Sequence, residues 1–155
     1  MRTIGNFIWI ILGGWVNFIF GSILTLVFFI SIIGIPWGRA FWVITKFMTA
    51  PFGKQIINRK DLTQQEDIGT SGWGTAGNVI WFILLGWWIA IAEALCGVVL
   101  CVTIIGIPFG IQRFKIAGLW LSPIGKAIVS NEVAKEALAR NARLEVANLR
   151  NQELA

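Results

Sequence analysis

The sequence predicts an all-α membrane protein made of two tandem helical-hairpin repeats. About four short membrane helices are expected, with interfacial amphipathic helices and a C-terminal cytoplasmic helix. Three observations carry this expectation. Residues Gly5 to Ile56 align without a gap on Gly77 to Ile128, at a constant offset of 72. The chain of 155 residues is 56% hydrophobic and only 14% charged, against about 25% charged in soluble domains. Arg2 and Arg39 bracket 36 uncharged residues, while Asp67 and Arg113 bracket 45 that hold one charge, Glu93. Apolar runs of about 18 residues or more are long enough to span a bilayer as helix. A fixed-period repeat makes each copy one structural unit. The chain therefore divides into a membrane repeat (1–56), a polar linker (57–76), a second membrane repeat (77–128) and a helical tail (129–155).

Charge sets the expected topology. The net charge is +5. The tail is neutral, with Lys135, Arg140, Arg143 and Arg150 against Glu132, Glu136, Glu145 and Glu153. The excess lies on Arg2, Arg39, Lys46, Lys54, Arg59, Lys60, Arg113, Lys115 and Lys126, against Asp61, Glu66, Asp67 and Glu93. These bases flank the apolar runs, which is a positive-inside pattern and not a nucleic-acid patch. Basic clusters after both copies put both flanks of the second copy in the cytoplasm, so it crosses an even number of times. A single helix over the first run would be about 54 Å long, too long for one straight crossing of a ~30 Å hydrocarbon core. An outer turn is expected midway, at Gly21 (after Asn17 and before Ser22) and at its counterpart Glu93. Each limb then has about 17 residues, so the hairpins either just span or are re-entrant. The rival is one long tilted helix per copy, an inverted repeat. No A-x-A cleavage pattern follows the first apolar segment, so an uncleaved membrane segment is expected, with both termini cytoplasmic.

Within a copy, the first limb (Ile4 to Asn17) carries Trp9 and Trp15, matched by Trp81 and Trp87. Trp15 and Trp87 suit the headgroup level at an outer turn. Trp9 and Trp81 fall deeper and read as packing residues, unless the limb is shallow. The second limb ends at Gly34-Ile35-Pro36-Trp37-Gly38, repeated as Gly106-Ile107-Pro108-Phe109-Gly110. Proline removes a donor and clashes with the preceding turn, so the helix stops or bends there. Residues 37–50 then place Arg39, Lys46 and Thr49 on one helical face. Residues 109–121 do the same with Gln112, Arg113 and Lys115. Both suit helices lying in the cytoplasmic interface, and Pro51 and Pro123 end them. The tail opens at Ser130 or Asn131 as N-cap. It carries an apolar stripe of Ala134, Leu138, Ala142, Val146 and Leu149, and an i,i+4 pair of Glu136 with Arg140. It reads as a solvated helix or, more sharply, as an oligomerisation helix.

Catalytic chemistry finds little support. The chain has no His and no Tyr, which removes the commonest general base and metal ligand. Cys96 and Cys101 match no Cys-x-x-Cys spacing and read as small apolar fillers. Gly72-Trp73-Gly74-Thr75-Ala76-Gly77 spells G-x-G-x-x-G, but without a preceding strand or a βαβ unit it is no dinucleotide site. No enzyme, cofactor or metal site is expected.

A few residues remain as candidates for function. Glu93 is an acid in an apolar run, a functional candidate at membrane depth. At an outer turn it would be hydrated, or would ring a pore mouth in an oligomer. Gly21 leaves the first copy without that acid. Asn6 and Asn78 would cap a helix, bond between helices or line a path, and Asn17 is a further polar candidate. Gly34, Pro36 and Gly38, with Gly106, Pro108 and Gly110, form breaks whose carbonyls can coordinate ions, or ordinary interfacial bends. Arg39, Lys46, Lys54, Arg113, Lys115 and Lys126 are candidate headgroup contacts.

The doubled Gly-Asn-x-Ile-Trp, Ile-Ile-Gly-Ile-Pro-[Trp/Phe]-Gly and Pro-x-Gly-Lys pattern resembles the YccF family of small bacterial inner-membrane proteins. The resemblance covers Gly5 to about Val129. It implies a duplicated domain in the bacterial cytoplasmic membrane and carries over no catalytic or binding residue. The function expected is a homo-oligomeric channel- or pore-like assembly for ions or small solutes. The alternative is a non-transporting accessory or scaffold subunit of a membrane complex. Expected partners are anionic headgroups on the cytoplasmic side and other copies of the chain, not nucleic acid.

Overall fold

The computed structural model describes residues 2–31 and 34–153. Each repeat begins with a long apolar helix, α1 (Arg2–Ile30) and α4 (Gly72–Cys101). These are the two described helices long and apolar enough to cross a membrane. At 29 and 30 residues each measures about 45 Å along its path. Both widen for one turn to the π form, at Ile10–Gly14 and at Phe82–Gly86. In α1 that turn contains Gly13 at φ 147°, a backbone geometry that side chains other than hydrogen strongly disfavour. The long helix therefore bends there rather than running straight.

The outer turn expected at Gly21 and Glu93 is not where the chain reverses. The helix is continuous over Trp15–Ile30 and over Trp87–Cys101. One glycine or one acid in an otherwise apolar run does not break a helix, because it neither removes a donor nor clashes with the preceding turn. In the first repeat the excess length is taken up by the bend at Gly13. In the first repeat two helical segments meet at the Gly13 kink, in the second the helix runs on through its π turn, and the hairpin of each repeat turns at the Gly-Ile-Pro motif.

After that motif the chain returns as α2 (Ile35–Thr49) and α5 (Ile107–Leu121). The prolines sit in the first turn of the returning helix, where a missing N–H costs nothing. In the second turn the Gly106 N–H donates to Thr103 Oγ1 at 3.0 Å. A Cβ at Gly106 would lie 1.9 Å from the Leu100 carbonyl oxygen, so only glycine fits. Each return helix packs antiparallel along the second half of its long helix. Gly38 lies against Phe29 in the first copy, and Gly110 against Gly97 in the second. Small residues here let two backbones approach closely.

Strands β1 (Lys54–Asn58) and β2 (Lys126–Ser130) follow the return helices. They pair antiparallel, with Ile56 opposite Ile128 at the centre. Those two residues are sequence equivalents, so exchanging the copies maps the ribbon onto itself. The Arg59 N–H donates to Gly125 O at 2.8 Å, and its counterpart Asn131 N–H donates to Gly53 O at 3.1 Å. The repeats are therefore related by a local two-fold axis through the ribbon.

The linker holds a short helix, α3 (Arg59–Thr63), and a turn organised by Asp67. Its Oδ1 accepts from the N–H groups of Gly69 and Thr70 at 2.9 and 3.0 Å. The long helix α4 starts at Gly72, inside the stretch read as linker. The tail forms α6 (Asn131–Glu153). It docks within the chain on α3: Ala134 and Ala137 are buried, Arg140 donates to Leu62 O at 2.9 Å, and Asn141 to Asp61 O at 2.9 Å.

Candidate functional site

The centre of the molecule lies where the repeats meet, and aromatic rings fill it. Trp9 and Trp81, matched in the two copies, are both buried. Each indole N–H donates to a carbonyl of its own return helix, Trp9 to Met48 O at 2.6 Å and Trp81 to Trp120 O at 2.7 Å. They are packing residues and not headgroup anchors. A buried indole needs such a partner, and the same acceptor position serves both copies.

Contacts across the local axis are exchanged between copies. Phe41 of the first copy meets Trp81 of the second edge-on, with ring centres 5.3 Å apart. Its counterpart Arg113 lies 5.1 Å over the Trp9 ring. Phe109 stacks on Trp9 at 6.2 Å and meets Phe52 at 5.3 Å. Edge and offset contacts at these distances add to the burial of large apolar area.

Asn6 and Asn78 neither cap a helix nor face a path. Asn6 Nδ2 donates to Phe52 O at 3.1 Å, and its Oδ1 accepts from the Phe52 N–H at 2.9 Å. Asn78 repeats both bonds on Ile124 at 3.1 and 2.9 Å. The side-chain amide thus mimics a strand edge and holds the loop after each return helix.

Glu93 is not a hydrated outer-turn residue. It sits within α4 and accepts from Arg113 Nη1 at 2.8 Å. Its side chain is 12% exposed and that of Arg113 is 29% exposed. The pair is explained by three divergent positions taken together. In the first copy they are Gly21, Phe41 and Thr45, and a Cβ at Gly21 would lie 2.2 Å from Thr45 Oγ1. In the second copy they are Glu93, Arg113 and Ala117. Replacing the threonine by alanine makes room for a side chain at 93, and the arginine neutralises it. Arg113 is therefore committed inside the chain, which corrects its reading as a headgroup contact.

The remaining candidates fall in two groups. Gly34, Pro36, Gly38, Gly106, Pro108 and Gly110 build the hairpin turns and the close helix approach described above. Of the bases, Arg39 and Lys46 are exposed, while Lys54, Lys115 and Lys126 are half-buried. Lys126 Nζ donates to Asn58 Oδ1 at 2.8 Å. Asn17 is half-buried on α1. Sequence reasoning missed the contact of Phe41 across the axis, which has no local pattern. It also missed the ribbon, for which the paired Lys-x-Ile-[Ile/Val] runs at the repeat ends were the available signal.

Comparison with known proteins agrees with this duplicated architecture. The YccF domain, described as an inner membrane component domain, matches residues 4–54 and again 76–126. The chain is 37% identical over 144 residues to the inner membrane protein YccF of Escherichia coli (strain K12), covering 92% of this chain and 97% of that protein. The protein of that name from Shigella flexneri matches to the same extent. No solved structure matches. With both repeats matched and a relative aligned along nearly its whole length, the chain belongs to the YccF family of inner membrane proteins.

Proposed function

We propose that the chain is a non-enzymatic accessory or scaffold subunit of the inner membrane, closed to ions and solutes through its own centre. The observation that carries this is the packed axis. A path through one chain would have to pass between the repeats, where Trp9, Phe41, Trp81, Phe109 and Trp120 fill the space. Glu93 is also spent on Arg113, and the two asparagines on backbone. The ribbon, α3 and α6 carry the dense charge and lie at the cytoplasmic face, with the local axis along the membrane normal and both termini inside. The positive-inside distribution supports this orientation.

A homo-oligomeric channel is the second reading, and one observation favours it. The apolar windows of α1 and α4 are only 11% and 17% buried within the chain. Lipid covers such a surface, and so can other copies. Reconstitution into liposomes at defined native size separates the two readings. The scaffold reading expects no ion flux above empty vesicles. Flux that changes with Glu93→Gln in a ring-shaped oligomer would replace it with the channel.

A further inference from the structure

A cleft of about 660 Å³ opens where the turn of the first hairpin meets the base of the second repeat. Trp37, Trp42 and Val43 of α2 form one wall, and the small residues Gly74, Ala76 and Gly77 of α4 keep the other wall low. Arg39, Arg59 and Lys126 border it, and among the described residues no acidic one does. Asp67 holds one Arg59 terminal nitrogen at 3.0 Å, while Arg59 Nε is buried without a partner among the described residues. The cleft opens at the molecular surface beside Phe29 and Ile80, both exposed.

The local two-fold gives an internal control. At the related place Arg39 becomes Ile111, Arg59 becomes Asn131 and Lys126 becomes Lys54, while Arg2 and Lys115 stand where the cleft has Gly74 and Val43. Trp37 and Ile124 become Phe109 and Phe52, whose rings pack together and against Trp9 at 6.2 and 6.0 Å. One side of the axis is therefore filled by rings, and its three bases, Arg2, Lys54 and Lys115, are differently placed. The other is hollow and has Arg39, Arg59 and Lys126 at its border. Arg39 and Lys126 have no acidic partner among the described residues, whereas Arg59 shares Asp67.

We propose that this cleft binds one anionic phospholipid, with its phosphate at Arg39, Arg59 and Lys126 and an acyl chain along the Trp37–Trp42–Ile80 wall. Guanidinium forks suit phosphoryl oxygens, and basic pockets between membrane helices suit acidic headgroups. The proposal goes beyond general attraction to an anionic surface, because it names one site and one lipid per chain. It rests on the family's membrane location and not on whether the chain conducts.

The test is native mass spectrometry of the full chain in detergent, titrated with phosphatidylglycerol and with phosphatidylcholine of equal chain length. One phosphatidylglycerol per chain is expected, held at least tenfold more tightly than phosphatidylcholine. Arg39→Gln with Lys126→Gln should weaken phosphatidylglycerol by about 25-fold, taking about fivefold per cation. Lys135→Gln with Arg143→Gln removes the same charge from exposed α6 positions and should change it less than twofold. Ala76→Phe, at an exposed position bordering the cleft, should weaken binding without removing charge. Equal affinity for the two lipids, or equal losses in the two charge variants, would overturn the proposal. So would displacement of the lipid by millimolar inorganic phosphate, which would assign the basic end to a soluble phosphoryl ligand.

Discussion

Replacing Glu93 by Gln leaves the Arg113 guanidinium without its anion in a largely dehydrated place. The carboxylate is 12% exposed and the guanidinium 29%, so water can rescue only part of the lost interaction. Removing one partner of a buried ion pair costs about 3–5 kcal/mol. The partial exposure of Arg113 and its contact with the Trp9 ring put the expected loss at the low end, about 3 kcal/mol. For a chain of this length each kcal/mol shifts the melting temperature by about 2–4 °C, so a drop of about 6–12 °C is expected in detergent. The first copy shows how to repair it. Adding Arg113→Phe to Glu93→Gln removes the stranded charge and places at 113 the ring that the first copy has at 41. That double variant should recover more than half of the loss. The reasoning fails if Glu93→Gln melts within about 2 °C of the parent, or if the added Arg113→Phe deepens the loss.

Three further outcomes follow from local geometry. Gly21→Ala should destabilise by about 1–3 kcal/mol, because its Cβ would lie 2.2 Å from Thr45 Oγ1. Thr45→Ala, which supplies the residue found at 117, should restore the melting temperature. Asn78→Ala should cost about 1–3 kcal/mol by leaving the Ile124 N–H and carbonyl unpaired, and hydrogen exchange at Ile124 should rise selectively. The Glu132 carboxyl is pulled down to about 2, first by its hydrogen bond from Arg2. Its folded value lies below the unfolded one, so its contribution to docking α6 is present above about pH 4.5 and is lost as pH falls toward 2. Exchange protection at the start of α6 should decline over that window, and Glu132→Gln should remove the pH dependence.

Much of the fold was legible from spacing. The gapless offset exposed the two units, and proline chemistry located the breaks at Gly34–Gly38 and Gly106–Gly110. Burial of Phe41, Ile44 and Phe47 against exposed Arg39 and Lys46 matches the predicted two-faced helix. The hairpin turn was misplaced because length was weighed against bilayer thickness as if the helix were straight. Gly13 at φ 147° supplies a bend that no periodicity announces. Glu93 was seen as exceptional but not as paired, because its partner is 20 residues on and the enabling change is the small residue Ala117. Of the apolar stripe of the tail, Ala134 is buried against the chain itself, while Leu138, Ala142, Val146 and Leu149 stay exposed. A partner that the chain itself supplies from 70 or more residues away leaves no mark on local pattern.

The claim on which the rest depends is that the two repeats close on each other within one chain. Cysteines at Ile56 and Ile128, in a background with Cys96 and Cys101 replaced by alanine, test it directly. These residues face each other at the centre of the ribbon, and opposed antiparallel residues have Cα separations that a disulfide can bridge. Mild oxidation in native membranes should give a fast-migrating band at monomer size, independent of expression level. A disulfide-linked dimer as the main product would mean that the ribbon forms between chains, and the closed single-chain centre would have to be abandoned.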